Sequence, residues 1–172
     1  MKRFALVVFT FSLLGCSEAQ MHGVGHIYIF NAGPEPLTYS LDGQSADEGT
    51  LAAERGKLIS PAVAGEYRFT AGGVAGQSIE LIKDHLVLFN PTGGCFARSD
   101  ISGRYSGKKP IKVLEVYRRE VIDIPDTIDV LPGKRMPATR KKSPYAFQRV
   151  SVIPCAISTN DHEVTKFVRQ QK

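Results

Sequence analysis

The stretch Val24-Gly-His-Ile-Tyr-Ile-Phe-Asn31 decides the fold, because it carries large apolar side chains at both odd and even positions. Successive side chains of a β-strand point to opposite faces of the sheet. A strand with Ile27 and Ile29 on one face and Tyr28 and Phe30 on the other is therefore apolar on both faces. We expect it to be a central strand that is buried from both sides.

Most of residues 24–155 consists of shorter stretches in which apolar and polar residues alternate, as in half-buried strands. Leu37-Thr-Tyr-Ser-Leu-Asp42 alternates cleanly, and His85-Leu-Val-Leu-Phe-Asn90 is a second stretch that is apolar on both faces. Residues 44–55 and 99–110 are predicted as loops, the first with a short strand near 50–53. Ile128-Asp-Val-Leu131 is predicted as a short edge strand because Pro132 ends it.

The fold class follows from this pattern and from a composition of 16 Gly, 10 Pro and 42% hydrophobic residues in 172. We expect an all-β fold, a single antiparallel β-sandwich of about eight or nine strands over residues 24–155, with a small closed barrel as the alternative. In the tail, residues 156–172, Asn160 is a predicted N-cap. Val164, Phe167 and Val168 fall on one face of a short helix, which is expected to dock on the sandwich or to fray.

One corner of the predicted sandwich has a family resemblance. The stretch Ala64-Gly-Glu-Tyr-Arg-Phe-Thr70 resembles a corner that is common in transthyretin-like and related β-sandwich modules. The resemblance concerns architecture only and implies neither a ligand nor a reaction.

The N-terminus carries an export signal. Lys2 and Arg3 precede an apolar-to-small run, residues 4–14, that is too short for a membrane-spanning helix, which needs about 20 residues, but suits a secretory signal. The run ends in Leu13-Leu-Gly-Cys16, which resembles a bacterial lipobox. The resemblance implies a signal peptide over residues 1–15, cleavage before Cys16 and acylation of this cysteine, followed by a short spacer over residues 16–23.

The location of the mature protein follows from the same resemblance. Ser17 is not the Asp that typically retains such lipoproteins at the inner membrane, so we expect the outer membrane, facing the periplasm. The alternative is cleavage after Ala19, which would give a soluble periplasmic or secreted protein. Under the lipobox interpretation the residues after Cys16 reach only about 25 Å, which keeps the domain close to its membrane.

The two remaining cysteines agree with an oxidising compartment. Cys95 and Cys155 are predicted to form a disulfide, with two unpaired buried thiols as the alternative. Closing a loop of about 60 residues would stabilise the fold by roughly 4 kcal/mol. No metal site is predicted, because no second cysteine or histidine lies at ligand spacing from either cysteine.

Charge and motifs narrow the function without identifying it. Loss of Lys2 and Arg3 lowers the formal charge from +5 to +3, which does not suggest a nucleic-acid partner. No catalytic or phosphate-binding motif is found, so we expect neither enzymatic activity nor a cofactor. The expected function is a noncatalytic structural or protein-binding module whose partners are the membrane, through the lipid on Cys16, and an unidentified envelope protein.

A basic stretch, residues 134–142, supports an alternative function. It could contact anionic headgroups or another anionic surface polymer, at about 1 kcal/mol per cation near a membrane, or it could keep an edge strand from pairing. The five cations are Lys134, Arg135, Arg140, Lys141 and Lys142.

Aromatic residues at strand spacing are the second feature that could form a binding site. We expect them in the core rather than in the groove of a small-ligand or carbohydrate binder. They are Tyr28, Phe30, Tyr39, Tyr67, Phe69, Phe89, Phe96, Tyr105, Tyr117, Tyr145 and Phe147.

The substitution Cys16→Ser tests the lipobox. The variant is expected to remain uncleaved or to lose its membrane association, because no thiol is left to carry the diacylglycerol group. Membrane fractionation combined with metabolic labelling by a palmitate analogue measures both effects. Processing and location like those of the wild type would exclude the lipobox and favour cleavage after Ala19.

Overall fold

A computed structural model describes residues 23–72, 74–106, 111–124, 128–137 and 147–171. Within these ranges the chain is mostly strand, with 11 strands in three sheets and a short C-terminal helix. No helix in the described ranges is long and apolar enough to cross a membrane.

The elements follow one another in this order. They are β1 (Val24–Asn31), β2 (Leu37–Asp42), β3 (Asp47–Leu51), β4 (Arg55–Val63), β5 (Gly65–Ala71), β6 (Val74–Leu81), β7 (Leu86–Phe89), β8 (Cys95–Asp100), α1 (Ser102–Ser106), β9 (Lys112–Tyr117), β10 (Val121–Ile124), β11 (Gln148–Ile153), a 3-10 turn (Cys155–Ile157) and α2 (Asp161–Gln170).

The strands form a central sheet and two outer sheets. The central sheet has the order β10-β7-β1-β4, the first outer sheet β3-β2-β5-β6, and the second outer sheet β11-β8-β9. β1 pairs antiparallel with β4 and parallel with β7, and the other named pairs are antiparallel. After β1 the chain forms β2 and β3 of the first outer sheet and returns to the central sheet as β4, antiparallel to β1. It then forms β5 and β6 of the first outer sheet and returns on the other side of β1 as β7, parallel to β1.

The side chains of β1 alternate between two cores. Ile27 and Ile29 pack into a core that β1 shares with the first outer sheet. This core includes Phe69. Tyr28 and Phe30 pack into a core shared with the second outer sheet. β1 is therefore covered on both faces, as its sequence predicts.

The side chains of β7 alternate between the same two cores, which explains why the predicted number of layers is wrong. Val87 and Phe89 face the first outer sheet, whereas Leu86 and Leu88 face the second. The prediction that both strands are central is confirmed, and so is the all-β class. The fold has three sheets rather than a single sandwich, because strands that are apolar on both faces need a layer on each side.

The C-terminal helix covers the second outer sheet. Ala97 and Ile153 on the outer face of this sheet pack against Val164 and Val168 of α2. The Asn160 side chain accepts hydrogen bonds from the backbone N–H groups of the first turn of α2 and so acts as its N-cap. The predicted helix is confirmed, and it docks on the sheet.

The predicted disulfide is also confirmed. Cys95, at the start of β8, is bonded to Cys155 in the 3-10 turn, and their Cα atoms are 5.0 Å apart. The bond ties the segment that leads into α2 to the sheet that α2 covers.

Three local predictions differ from the structure. The loop predicted over residues 99–110 begins with the end of β8 and continues into α1. Asp100, the last residue of β8, accepts a hydrogen bond from the Ser102 N–H at 2.8 Å. The short strand expected near 50–53 lies at 47–51, paired with β2. The predicted edge strand at 128–131 is reduced to one bridge, between Val130 and Arg149.

An ion pair joins the first outer sheet to the central sheet at their rim. Asp47 of β3 accepts hydrogen bonds from Lys57 Nζ of β4 at 2.7 Å and from the Tyr39 hydroxyl at 2.5 Å. Burial alone would raise the pKa of the Asp47 carboxyl, but the hydrogen bonds from Lys57 and Tyr39 outweigh it and hold this pKa below its usual value. Both bonds stabilise the ionised carboxylate.

Removing the disulfide with the double substitution Cys95→Ala and Cys155→Ala is expected to lower the free energy of unfolding by about 4 kcal/mol, on the chain-entropy model for a bridge that closes 60 residues. Urea denaturation measures the change. Reductant should destabilise the wild type by a similar amount and leave the double variant unaffected. Equal stability of the oxidised and reduced wild type would contradict the prediction.

Candidate functional site

The residues predicted to carry function fall into two groups. Cys16 and the second half of the basic stretch, Arg140, Lys141 and Lys142, lie outside the described residues. Lys134 and Arg135 are exposed and directly follow a turn that lines a large cavity.

That cavity, here called the edge cleft, has a volume of about 680 Å³. One wall is formed by the end of β1, with Phe30, and by the turn that leads into β4, with Glu54 and Arg55. Gly93 and Gly94, which precede β8, form its floor. A volume between about 300 and 1,000 Å³ is typical of sites that bind small molecules.

The opposite wall is formed by β11 and the C-terminal helix. β11 is an edge strand of the second outer sheet, and Arg149 and residues 151–154 line the cleft together with Phe167 and Gln171 from the end of α2. The cleft thus lies where the central sheet and the second outer sheet meet the C-terminal helix.

The turn at Pro132 and Gly133 also lines the cleft, and a buried hydrogen bond holds it in position. The Tyr28 hydroxyl donates to the Pro132 carbonyl oxygen at 2.6 Å. The next residue, Gly133, has φ +71°, and a Cβ there would lie 2.7 Å from the Phe30 ring and 2.8 Å from the Glu54 carbonyl oxygen. Only glycine fits this close approach. The basic stretch therefore starts at the rim of the cleft.

Arg149 is the charged group buried in this wall. Its side chain is on the face of β11 that lies toward α2, and the residue is only 8% exposed. Burial lowers the pKa of its guanidinium, the nearby charge of Arg104 lowers it further, and Tyr105 opposes the shift. An arginine stays protonated at neutral pH in spite of such shifts, so the wall contains a buried positive charge.

Two polar atoms in this wall lack a hydrogen-bond partner. They are Nε of Arg149 and Oγ of Ser151, both buried, and the two residues lie on the same face of β11, two positions apart. Ser151 is 2% exposed. Buried polar groups are normally satisfied, so this pair marks the wall as a candidate binding surface.

A second, smaller cavity of about 240 Å³ contains a histidine and a serine. His26 Nδ1 lies 2.7 Å from Ser60 Oγ, and Asp84 lines the same cavity. A serine nucleophile needs a base that is oriented by a third group and donors for the oxyanion. In the described part of the chain no carboxylate is hydrogen-bonded to His26.

No group of three or more His, Cys, Asp or Glu side chains among the described residues could hold a metal ion. The disulfide engages both of the described cysteines.

Comparison with known proteins identifies no relative. No protein-family model matches the chain. No curated protein and no solved structure matches it either. The resemblance of residues 64–70 to transthyretin-like modules stays a prediction.

The sequence prediction for the aromatic residues is largely confirmed, whereas Arg149 was not anticipated. All of the described aromatic residues of that set except Tyr105, which is half-buried, lie in the core. Tyr145 lies outside the described residues. In the sequence, residues 145–153 have the composition of a strand with one charged residue, Arg149. Both faces of such a strand mix polar and apolar residues, so the pattern does not tell which face is buried.

The substitution Tyr28→Phe tests the bond that holds the Pro132 turn against the cleft. We expect the free energy of unfolding to fall by about 1–2 kcal/mol, because the buried Pro132 carbonyl loses its donor. Burial raises the pKa of Tyr28 from 10.0 to about 12. The folded state therefore favours the protonated hydroxyl, and this contribution is present below pH 10 and is lost as the pH rises toward 12.

Urea denaturation at neutral pH measures the first effect, and tyrosinate absorbance against pH measures the second. The difference in tyrosinate absorbance between the wild type and the Tyr28→Phe variant should rise near pH 12. A difference that rises near pH 10 would mean that the hydroxyl is accessible to water and that the turn is not held by it.

Proposed function

We propose that this chain is a lipid-anchored protein of the bacterial envelope whose β domain is a noncatalytic binding module. The domain holds a segment of another envelope protein in the edge cleft. The observation that carries the proposal is the cleft itself, about 680 Å³ in volume, with the buried charge of Arg149 in its wall.

The walls of the cleft suit a segment of protein. Phe30, Pro132 and Phe167 supply apolar surface, whereas Arg55 and Arg149 supply positive charge. A site of this kind gains affinity from apolar burial and orientation from a few polar groups. The proposal also agrees with the absence of a catalytic motif in the sequence.

The anchor gives the proposal its location. Acylation at Cys16 would leave only a short spacer before β1, with a reach of about 25 Å, so the domain would work next to the periplasmic side of the outer membrane. A partner held at the same membrane would meet the cleft at a raised effective concentration.

A second candidate function is binding of an anionic surface polymer, a carbohydrate or another small ligand. It is favoured by the position of Lys134 and Arg135, which are exposed and follow Gly133 at the rim of the cleft. Such a ligand would use the basic stretch 134–142 in addition to the cleft.

Site-specific photo-crosslinking in cells tests the proposed function. A photoreactive amino acid at Arg55, an exposed residue that lines the cleft, is expected to give one discrete crosslink to another envelope protein. The matched control is Glu80, an exposed residue of β6 in the first outer sheet, which should give none. Mass spectrometry identifies the partner.

Two results would contradict the proposal. Equal crosslinking from both positions would indicate nonspecific encounter, and the absence of any protein crosslink at Arg55 would remove the cleft as a protein-binding site. Crosslinks from Lys134 to lipid or polymer in the same cells would favour the second candidate function.

A further inference from the structure

Arg149 is a buried cation without an anionic partner among the described residues. No carboxylate in these ranges forms an ion pair with its side chain, and the positive charge of Arg104 acts on it. Glu54 also lines the cleft, but it is not among the described ion pairs. A buried cation normally has an anionic partner, because leaving water is costly for an uncompensated charge.

The groups that do contact Arg149 are two oxygens of one residue. Nη1 donates to the main-chain carbonyl oxygen of Gln171 at 3.3 Å, and Nη2 donates to its side-chain Oε1 at 3.2 Å. These distances exceed the 2.7–2.9 Å that is usual for a guanidinium and a carboxylate. Gln171 thus offers a pair of neutral oxygens where the two oxygens of a carboxylate would bind.

Hydrogen bonds to β11 hold Gln171 in place. The residue follows the last residue of α2. Besides accepting the two bonds from Arg149, it donates a hydrogen bond from Nε2 to the Val152 carbonyl oxygen at 3.3 Å. Its displacement would open the donors of Arg149 toward the cleft without moving the buried residues of the helix, Val164 and Val168.

Resting on the proposed function, we infer that the edge cleft recognises its ligand by a carboxylate group, which Arg149 binds in place of Gln171. A planar guanidinium matches the two oxygens of a carboxylate. Ser151 supplies a hydroxyl on the same face of β11, with no partner at present. The apolar surface of Phe30 and Phe167 binds the part of the ligand that follows the carboxylate.

Two sources can supply this chemistry. One is the C-terminal carboxylate of a protein segment, which agrees with the proposed function. The other is a free small organic acid. A peptide and a small acid therefore form the two arms of the test.

The experiment uses the mature chain, residues 16–172 with Cys16→Ser so that no lipid is attached. The small-acid arm compares N-acetyl-L-phenylalanine with its neutral C-terminal amide, and the peptide arm compares a ten-residue peptide that ends in Phe with its amidated form. Isothermal titration calorimetry measures the dissociation constants. We expect each free acid to bind at least about tenfold more tightly than its amide, since the amide lacks the charge that Arg149 binds.

Two substitutions identify the residues involved. Gln171→Ala is expected to tighten binding of the free acids by roughly three- to tenfold, because the internal competitor is gone. The matched control is Gln170→Ala, which removes an amide of the same kind from an exposed position. Arg149→Gln should abolish the preference for acid over amide, and circular dichroism checks that this variant folds. If it does not fold, the Gln171→Ala result decides the inference.

The outcomes separate this inference from the proposed function. Equal affinity for acids and amides would overturn the carboxylate site, and so would weaker binding of the free acids to the Gln171→Ala variant. Either result would mean that Arg149 has the structural role of holding Gln171 in place after α2. The protein-binding function would survive that result if the crosslink from Arg55 persists. Acid-selective binding without any crosslink would instead support the carboxylate site with a free small acid as the ligand, and the protein-binding function would fall.

Discussion

Burial of β1 on both faces is the constraint on which the rest of the structure depends. Ile27 and Ile29 need one covering layer, and Tyr28 and Phe30 need another, because no single layer can reach both faces of a sheet. Full burial of a side chain of this size contributes about 1.5–3 kcal/mol. Each outer sheet covers one face of β1 and so buries two of these four side chains. The stability of each core therefore depends on the strand that both cores share.

The sequence predicts the central strands well, yet it predicts the number of layers poorly. Apolar residues on both faces identify β1 and β7 as central, and the alternation of β2 gives its bounds without error. A two-layer sandwich buries one face of each strand, so two strands with two apolar faces already require a third layer. The sequence pattern does not say which strands supply it, because β8, β9 and β11 carry polar residues among apolar ones and gain their burial only from α2 and the central sheet.

Predicting the candidate site is harder for a similar reason. The disulfide is predictable, since the pairing of two cysteines needs no knowledge of orientation. The edge cleft depends on which side chains meet across three sheets and a helix, and contacts such as that of Tyr28 with Pro132 join residues 104 positions apart. Arg149 appears in the sequence as one charge in a strand. Its burial comes from the helix that covers it.

The C-terminal helix couples the stability of the fold to the chemistry of the cleft. Cys155 and Asn160 fix where α2 begins, and Val168 fixes the face that it buries, so the position of Gln171 opposite Arg149 follows from packing. Because Gln171 lies one turn beyond Val168, a bound carboxylate would compete with a local contact and not with the core. A released residue also regains conformational freedom worth about 1–2 kcal/mol, which offsets part of the cost of breaking the hydrogen bonds that Arg149 donates to Gln171. In the proposed carboxylate site, exchange of the two Gln171 oxygens for a charged ligand would therefore require no rearrangement of the sheets.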